Sequence, residues 1–271
     1  VHDSWSVAYA YSHWDDLGKV DSVIIPNPPN RFFADPFIIV KNGVGFCFVE
    51  DYSYTDDRGC ISVIKIEGSK NQLLGVAISE KFHLSFPYLF EFESTLYMIP
   101  ESAEANEIRL YRCVDFPLKW EFYKTLMKNV SAVDTMVFEY GDKWWMFANI
   151  NPIGEGDHCS ELSIFHASQP ITDKWLPHAC NPVVVNPLRA RNGGILHEDE
   201  FVFRVSQVQG FGRYGASLAV NKIITLTEEL YSEATIPILF SPSMDSFVGN
   251  HHMHSAKCIT VFDGLRSRKI G

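Results

Sequence analysis

The stretch Ala34-Asp35-Pro36-Phe37-Ile38-Ile39-Val40-Lys41-Asn42-Gly43-Val44-Gly45-Phe46-Cys47-Phe48-Val49-Glu50 places two apolar, strand-forming runs on either side of a Lys-Asn-Gly reversal. That pattern predicts a β-hairpin with an acidic residue at each end. It recurs from Phe86 to Glu101, from Asp134 to Asn149 and from Asn192 to Gln207, and in all four copies the two end positions are fifteen residues apart. The reversals change from copy to copy (Glu93-Ser94-Thr95, Tyr140-Gly141-Asp142, His197-Glu198-Asp199) while the spacing holds. A hairpin repeated at intervals of roughly fifty residues points to the blades of a propeller.

Each hairpin is followed by a third strand-like run: Gly59–Ile66, Glu107–Arg112, Glu161–His166 and Tyr214–Val220. Trp120-Glu121-Phe122-Tyr123 and Ile236-Pro237-Ile238-Leu239-Phe240 are expected as outer fourth strands. The last unit, Gly249 to Gly264, is short of strands, whereas Trp5–Tyr11 is a strand without a hairpin of its own. Pairing the two would complete a fifth sheet and leave no open ring edge. The expected fold is therefore all-β: a five-bladed β-propeller closed by its N-terminal strand, with residues 1–271 as a single domain. The Pro-rich stretches at Ile25–Asn30, Asn181–Pro187 and Ser241–Ser243 read as loops between blades, and helix content should be low.

A formal charge of -10 argues against nucleic-acid binding, which needs clustered Lys and Arg, and no apolar run is long enough to span a membrane. Six cysteines lie apart without a metal-binding spacing, so free, mostly buried thiols and a reducing, cytoplasmic setting are expected. Asn129-Val130-Ser131 matches the glycosylation sequon, a pattern too short to carry weight. Nucleophile-elbow, phosphate-loop and zinc-helix motifs are absent from the sequence, and no cofactor is expected.

Residues at one register of the inner strands should ring one end of the channel. Asp35, Asp134 and Asn192 share that register, and Glu50, Glu101, Asn149 and Gln207 end the paired strands on the same face. Clustered carboxylates repel unless they hold a cation, pair with Arg or exchange protons. Arg31, Arg191, Arg204 and Arg213 are the nearby guanidinium groups, and Tyr52, Tyr88, Phe32 and Tyr214 are rings that could stack on a sugar. Phe33 and Phe37 are expected in the core. Among His251, His252 and His254, no third ligand follows at a typical spacing, so no metal is expected, and His254 is read as the channel histidine. His83 opens the second repeat. The candidate site is then Asp35, Asp134, Glu101 and Glu50 for chemistry, with Arg31, Tyr52, His83, Asn192, Arg204, Gln207, Tyr214 and His254 for binding.

The segment Arg31-Phe32-Phe33-Ala34-Asp35-Pro36-Phe37 resembles the start of the first blade in glycoside hydrolase family 43. His83–Tyr88, Pro100-Glu101-Ser102, Leu110-Tyr111-Arg112, Phe116–Trp120, Val133-Asp134-Thr135, Arg204–Gln207 and Tyr214-Gly215 resemble, over nearly the whole chain, the propeller of plant glucosamine inositolphosphorylceramide transferases and bacterial sugar-formyltransferase-like proteins. The hydrolase resemblance implies Asp35 as general base and Asp134 as the Asp that orients substrate and tunes the acid. It puts the general acid at Asn192, which cannot donate that proton. Two readings stay open. In one, Glu101 or Glu50 supplies the acid of a glycosidase or glycosyl-transferring enzyme. In the other, a non-catalytic module recognises a glycan, glycolipid or nucleotide-sugar headgroup for a fused or partner transferase domain.

Overall fold

The structure is a computed structural model that describes residues 4–151, 158–210, 213–237 and 247–266. Five antiparallel sheets succeed one another along the chain. From the inside outward, blade 1 is Arg31–Lys41, Val44–Ser53, Arg58–Glu67 and Lys70–Ile78. Blade 2 is Ser85–Phe92, Thr95–Glu101, Glu107–Asp115 and Lys119–Lys128. Blade 3 is Ser131–Tyr140, Lys143–Asn151 and Glu161–Ala167, edged by the short strands Leu176–Pro177 and Val184–Val185. Blade 4 is Asn192–Glu198, Phe201–Gly210, Arg213–Leu226 and Tyr231–Ile236.

Blade 5 is built from both ends of the described chain. Met253–Ala256 is its inner strand and Ile259–Arg266 the second, and the third is Ser4–Ala10, paired from Ser4 opposite Arg266 to Ala10 opposite Thr260. The N-terminal strand closes the ring, as its lack of a hairpin predicts. The outer strand of blade 4 is a correction: it begins at Tyr231 and ends at Ile236, so only Ile236 of the expected strand belongs to it, and residues 238–240 lie outside the described residues. The expected Ser241–Ser243 loop lies outside them too. Among the described residues, helix is confined to two 3₁₀ turns, and none of the six cysteines is in a disulfide; contrary to expectation only Cys47 is buried.

The inner hairpins of blades 1 to 4 each carry an irregularity at the mouth end that the fifteen-residue spacing does not reveal. The register slips between Ala34 and Phe37, between Ser85 and Tyr88, between Val133 and Met136, and between Asn192 and Gly194. Such a bulge lets two residues face one and turns the extra residue out of the ladder. Asp35, Phe86 and Asp134 occupy these bulges with φ of 49°, 44° and 50°, a left-handed conformation that costs a non-glycine residue energy. The same backbone device thus aims the first and third acidic residues at the axis.

Apolar faces of neighbouring sheets fill the space between blades. Phe48, Ile61 and Val63 of blade 1 pack against Leu84, Met98 and Tyr111 of blade 2, and Phe33 and Cys47 pack against Val7, Tyr9 and Val261 across the closure. Phe33 and Phe37 are buried, as expected. Blades 4 and 5 approach closely at Gly194, whose φ is +129° and where an added Cβ would lie 2.2 Å from the Met253 carbonyl oxygen. A backbone atom cannot swing aside. Gly194→Ala is expected to lose about 3 kcal/mol or more of stability, read as a lower urea midpoint at unchanged slope.

Candidate functional site

Backbone amides freed by the bulges link the mouth residues from blade to blade. Phe86 N–H of blade 2 donates to Asp35 Oδ2 (3.2 Å), and Asp35 N–H of blade 1 donates to Asp263 Oδ2 of blade 5 (3.0 Å). Asp263 Oδ1 accepts from the N–H groups of His251 and His252 (3.1 and 3.0 Å). Both carboxylates are held by the fold before any ligand arrives.

Asp134 is 2% exposed and sits in a second network. Arg191 Nε donates to its Oδ2 at 2.6 Å, and Gln207 Nε2 reaches the same oxygen at 3.2 Å. Asn192 turns its amide into the structure: Nδ2 donates to the Asp134 carbonyl (3.0 Å), while its own N–H donates to Asn149 Oδ1 (2.8 Å). Asn149 in turn bonds the carbonyls of Glu161 and Ala190. Amides at the blade 3 and blade 4 positions therefore brace Asp134 and Arg191. A side chain held in this way presents no acid at Asn192, in keeping with its chemistry.

Blade 5 contributes the mouth histidine. His251 lies with Nδ1 2.8 Å from Asp263 Oδ2 and Nε2 3.5 Å from Asp35 Oδ1. Trp5 stacks on its ring (centroids 3.9 Å apart), and Tyr214, which is 41% exposed, meets it edge-on and covers the Arg191 guanidinium at 5.0 Å. Asp35, His251 and Asp263 place ligand atoms within 4.8 Å of one another, a donor set that suits a cation. The expectation of no metal rested on sequence spacing from the histidines; the further oxygens come from residues distant in the chain.

Burial dominates the electrostatics. It pushes Asp35 up to about 7, opposed by His251 and reinforced by Asp263. It pushes Glu101 up to about 8, with the charge of Asp134 adding and Arg191 opposing, and it raises Glu50 well above the usual carboxylate range, with Asp35 and Glu101 adding. Burial disfavours the charged form of His251 too, but Asp263 and Asp35 outweigh it and its pKa is raised; for Asp263, burial is likewise outweighed by His251, and its pKa is lowered. The mouth therefore contains an imidazolium–carboxylate pair next to carboxyls that retain protons near neutrality. Gly59 N–H donates to His83 Nδ1 (3.0 Å), which leaves the ring proton on Nε2, 3.5 Å from Glu50 Oε1.

The structure brings Asp35, Glu50, Glu101, Asp134, Gln207, Asn192, Tyr214 and His83 to this end of the channel. It does not bring the others there. Arg204 is fully buried and forks onto Glu233 (2.8 and 2.6 Å) and the Arg189 and Ala190 carbonyls, behind Asn192. Arg31 forks onto the buried Asp51, and Tyr52 donates to Asp57 and stacks on Phe32, all on the rim of blade 1. His254 accepts from Ile38 N–H (3.2 Å) and lines the far part of the channel with Tyr88, Ile195 and His197. His251, Asp263 and Trp5 are the site residues the sequence reading missed. His251 could have been found by carrying the Asp35 register into the last repeat.

The chain is a five-bladed propeller with braced carboxylates at one mouth, a fold that solved glycoside hydrolases share. The fold neighbours agree: a family 117 glycoside hydrolase of Zobellia galactanivorans superposes with a TM-score of 0.60 at 12% identity, covering 96% of this chain and 90% of that one. The catalytic domain of a Coprinopsis cinerea family 62 α-L-arabinofuranosidase gives 0.57 at 11% identity, covering 74% and 67%. Residues 18–264 match the family described as glucosamine inositolphosphorylceramide transferase 1, N-terminal, and the chain belongs to that family. It is similar to glucosamine inositolphosphorylceramide transferase 1 of Arabidopsis thaliana, 33% identical over 253 residues that make up 88% of this chain and 33% of the relative. The Oryza sativa subsp. japonica protein of that name is 34% identical over 216 residues, 77% of this chain and 28% of the relative. The chain thus spans about a third of the length of these relatives.

Proposed function

We propose that the acidic mouth binds the sugar headgroup of a glycan or glycolipid, and that an amino sugar is the class it suits best. The observation that carries this reading is the charge balance. Among the described residues, Asp35, Glu50, Glu101, Asp134 and Asp263 are countered by Arg191 and His251, with the His83 imidazole beside Glu50. A ligand with hydroxyls accepts hydrogen bonds from the protonated carboxyls and donates to the ionised ones, and an ammonium group can take the place of the protons that Asp35, Glu50 and Glu101 hold. Trp5 and Tyr214 offer ring faces beside it. The relatives are named for glucosamine and inositolphosphorylceramide, so glucosamine, myo-inositol and glucosaminyl-inositol are the first probes. Binding should release protons at pH 7.5, because a bound cation favours the ionised carboxyls. Calorimetry in buffers of different ionisation enthalpy would detect that release; proton uptake would contradict it.

A second reading is favoured by the pKa of Asp35 near 7 and of Glu101 near 8, which suits a base and an acid exchanging protons at neutral pH. In this reading Asp35 activates water or an acceptor hydroxyl and Glu101 protonates the leaving oxygen. Product analysis on any bound glycan separates the two: a released reducing sugar or a new glycoside supports the enzyme, and binding without turnover supports a module that presents a headgroup to a joined or partner transferase domain.

A further inference from the structure

Opposite Gln209 the ladder of blade 4 opens. Its second and third strands pair Val208 with Ser217 and Gly210 with Arg213, so Tyr214, Gly215 and Ala216 bulge out against the single residue Gln209. Gly215 turns the bulge at φ +60° in a tight space, where an added Cβ would lie 2.8 Å from Trp5 Cη2 and 3.0 Å from His251 Cβ. A bulge beside a site re-aims a side chain, and here that side chain is Tyr214. Resting on the carbohydrate reading of the mouth, we propose that Gln209 is a positioning residue that sets the Tyr214 ring over the mouth, and that the ring so held makes the site select ligands with a C–H face, a pyranose over an open-chain amino alcohol.

A relay of side-chain amides ties the bulge to the charged centre. The Gly215 N–H that has left the ladder donates to Gln209 Oε1 (2.9 Å). Gln209 Nε2 donates to Gln207 Oε1 (3.3 Å), and Gln207 Nε2 donates to Asp134 Oδ2 (3.2 Å) and to the Asn192 carbonyl (2.8 Å). Both ends fix the polarity of this relay, an N–H at Gly215 and a carboxylate at Asp134. Turning either amide over would set donor against donor and acceptor against acceptor. Arg191, the ion-pair partner of Asp134, lies 5.0 Å from the Tyr214 ring centroid.

The same ring meets His251 edge-on at 5.4 Å and Trp5 at 6.3 Å, and Tyr214 is 41% exposed. A sugar whose hydroxyls engage Asp134 and Arg191 can therefore lay its C–H side on the part of the ring left open. An ammonium without a ring meets the carboxylates alone.

Gln209→Met keeps the size of the side chain and removes both amide functions, whereas Gln209→Glu keeps an acceptor for Gly215. Without ligand, the Gly215 amide is expected to exchange with solvent about tenfold faster in Gln209→Met than in wild type and to stay protected in Gln209→Glu. An unchanged rate in Gln209→Met overturns the positioning role whatever the mouth binds. With ligand, the affinities of glucosamine and ethanolamine are compared, the second offering an ammonium and a hydroxyl but no ring. Gln209→Met is expected to weaken glucosamine about tenfold and ethanolamine less than about twofold, and Gln209→Glu to keep the wild-type ratio of the two. In a Tyr214→Ala background, Gln209→Met should cost nothing further. Equal losses of both probes, or a loss of glucosamine that persists beside Tyr214→Ala, overturns the inference. No binding of glucosamine to wild type overturns the sugar reading for this probe and the selectivity with it, whereas a failure confined to the Gln209 variants overturns the positioning role alone.

Discussion

An Arg191→Met variant is expected to lose about 3–5 kcal/mol of stability at pH 8, the usual cost of stripping a buried carboxylate of its partner. Arg191 Nε is 2.6 Å from Asp134 Oδ2, and the Asp134 side chain is 3% exposed, so water cannot replace the guanidinium. Gln207 remains on the same oxygen but brings no charge. The double variant Arg191→Met with Asp134→Asn should recover most of the loss at pH 8. Urea melts of the four proteins at pH 8 measure this coupling, and additive losses would contradict it.

An Asp35→Asn variant is expected to be more stable than wild type above pH 7 and to bind sugar about a hundredfold more weakly. The sign follows from the raised pKa. Asp35 titrates near 7 in the fold and near 3.8 unfolded, so between those values the folded state keeps a proton the unfolded state has released. Wild-type stability therefore falls as pH rises through that window, and Asn, which cannot ionise, removes this contribution. The gain should be about 2–4 kcal/mol at pH 8, less what His251 loses with one of its two carboxylates. Glu101→Gln should flatten the pH dependence in the same direction, over a window that reaches about 8. A variant with more stability and less binding marks Asp35 as held in place at a cost to the fold.

The propeller was legible because blade architecture depends on spacing and alternation, both local properties of the chain. Fifteen-residue intervals identified the inner hairpins, and Trp5–Tyr11 could only be the missing strand of an incomplete sheet. The bulges were not legible, since Asp35-Pro36, Phe86-Pro87 and Asp134-Thr135 continue the strand pattern and only the register shows them to be extra residues. Blade 5 escaped for a related reason. Its hairpin is shorter, with Met253–Ala256 leading to Ile259, so Asp263 lies only twelve positions after His251 and falls outside the frame that exposed Glu50 and Glu101.

Side-chain direction was the other gap. Arg204 stands three residues before Gln207 in sequence, but successive strand positions alternate in face, and Arg204 turns to Glu233 on the outer strand of blade 4. Arg31 was drawn from the mouth by Asp51, one residue past Glu50. Asn192 was readable as a departure from the hydrolase pattern. Its part in bracing Asp134 needed the three-dimensional partners Asn149 and Gln207.

Wild type and Asp35→Asn, both confirmed folded by melting, should be applied side by side to an array of immobilised glycans that includes amino sugars and glucosaminyl-inositol. Wild-type signals are expected to concentrate on amino-sugar-bearing glycans and to be lost from the variant. An identical pattern from both proteins, or no signal from wild type on any glycan, would contradict the sugar reading of the mouth.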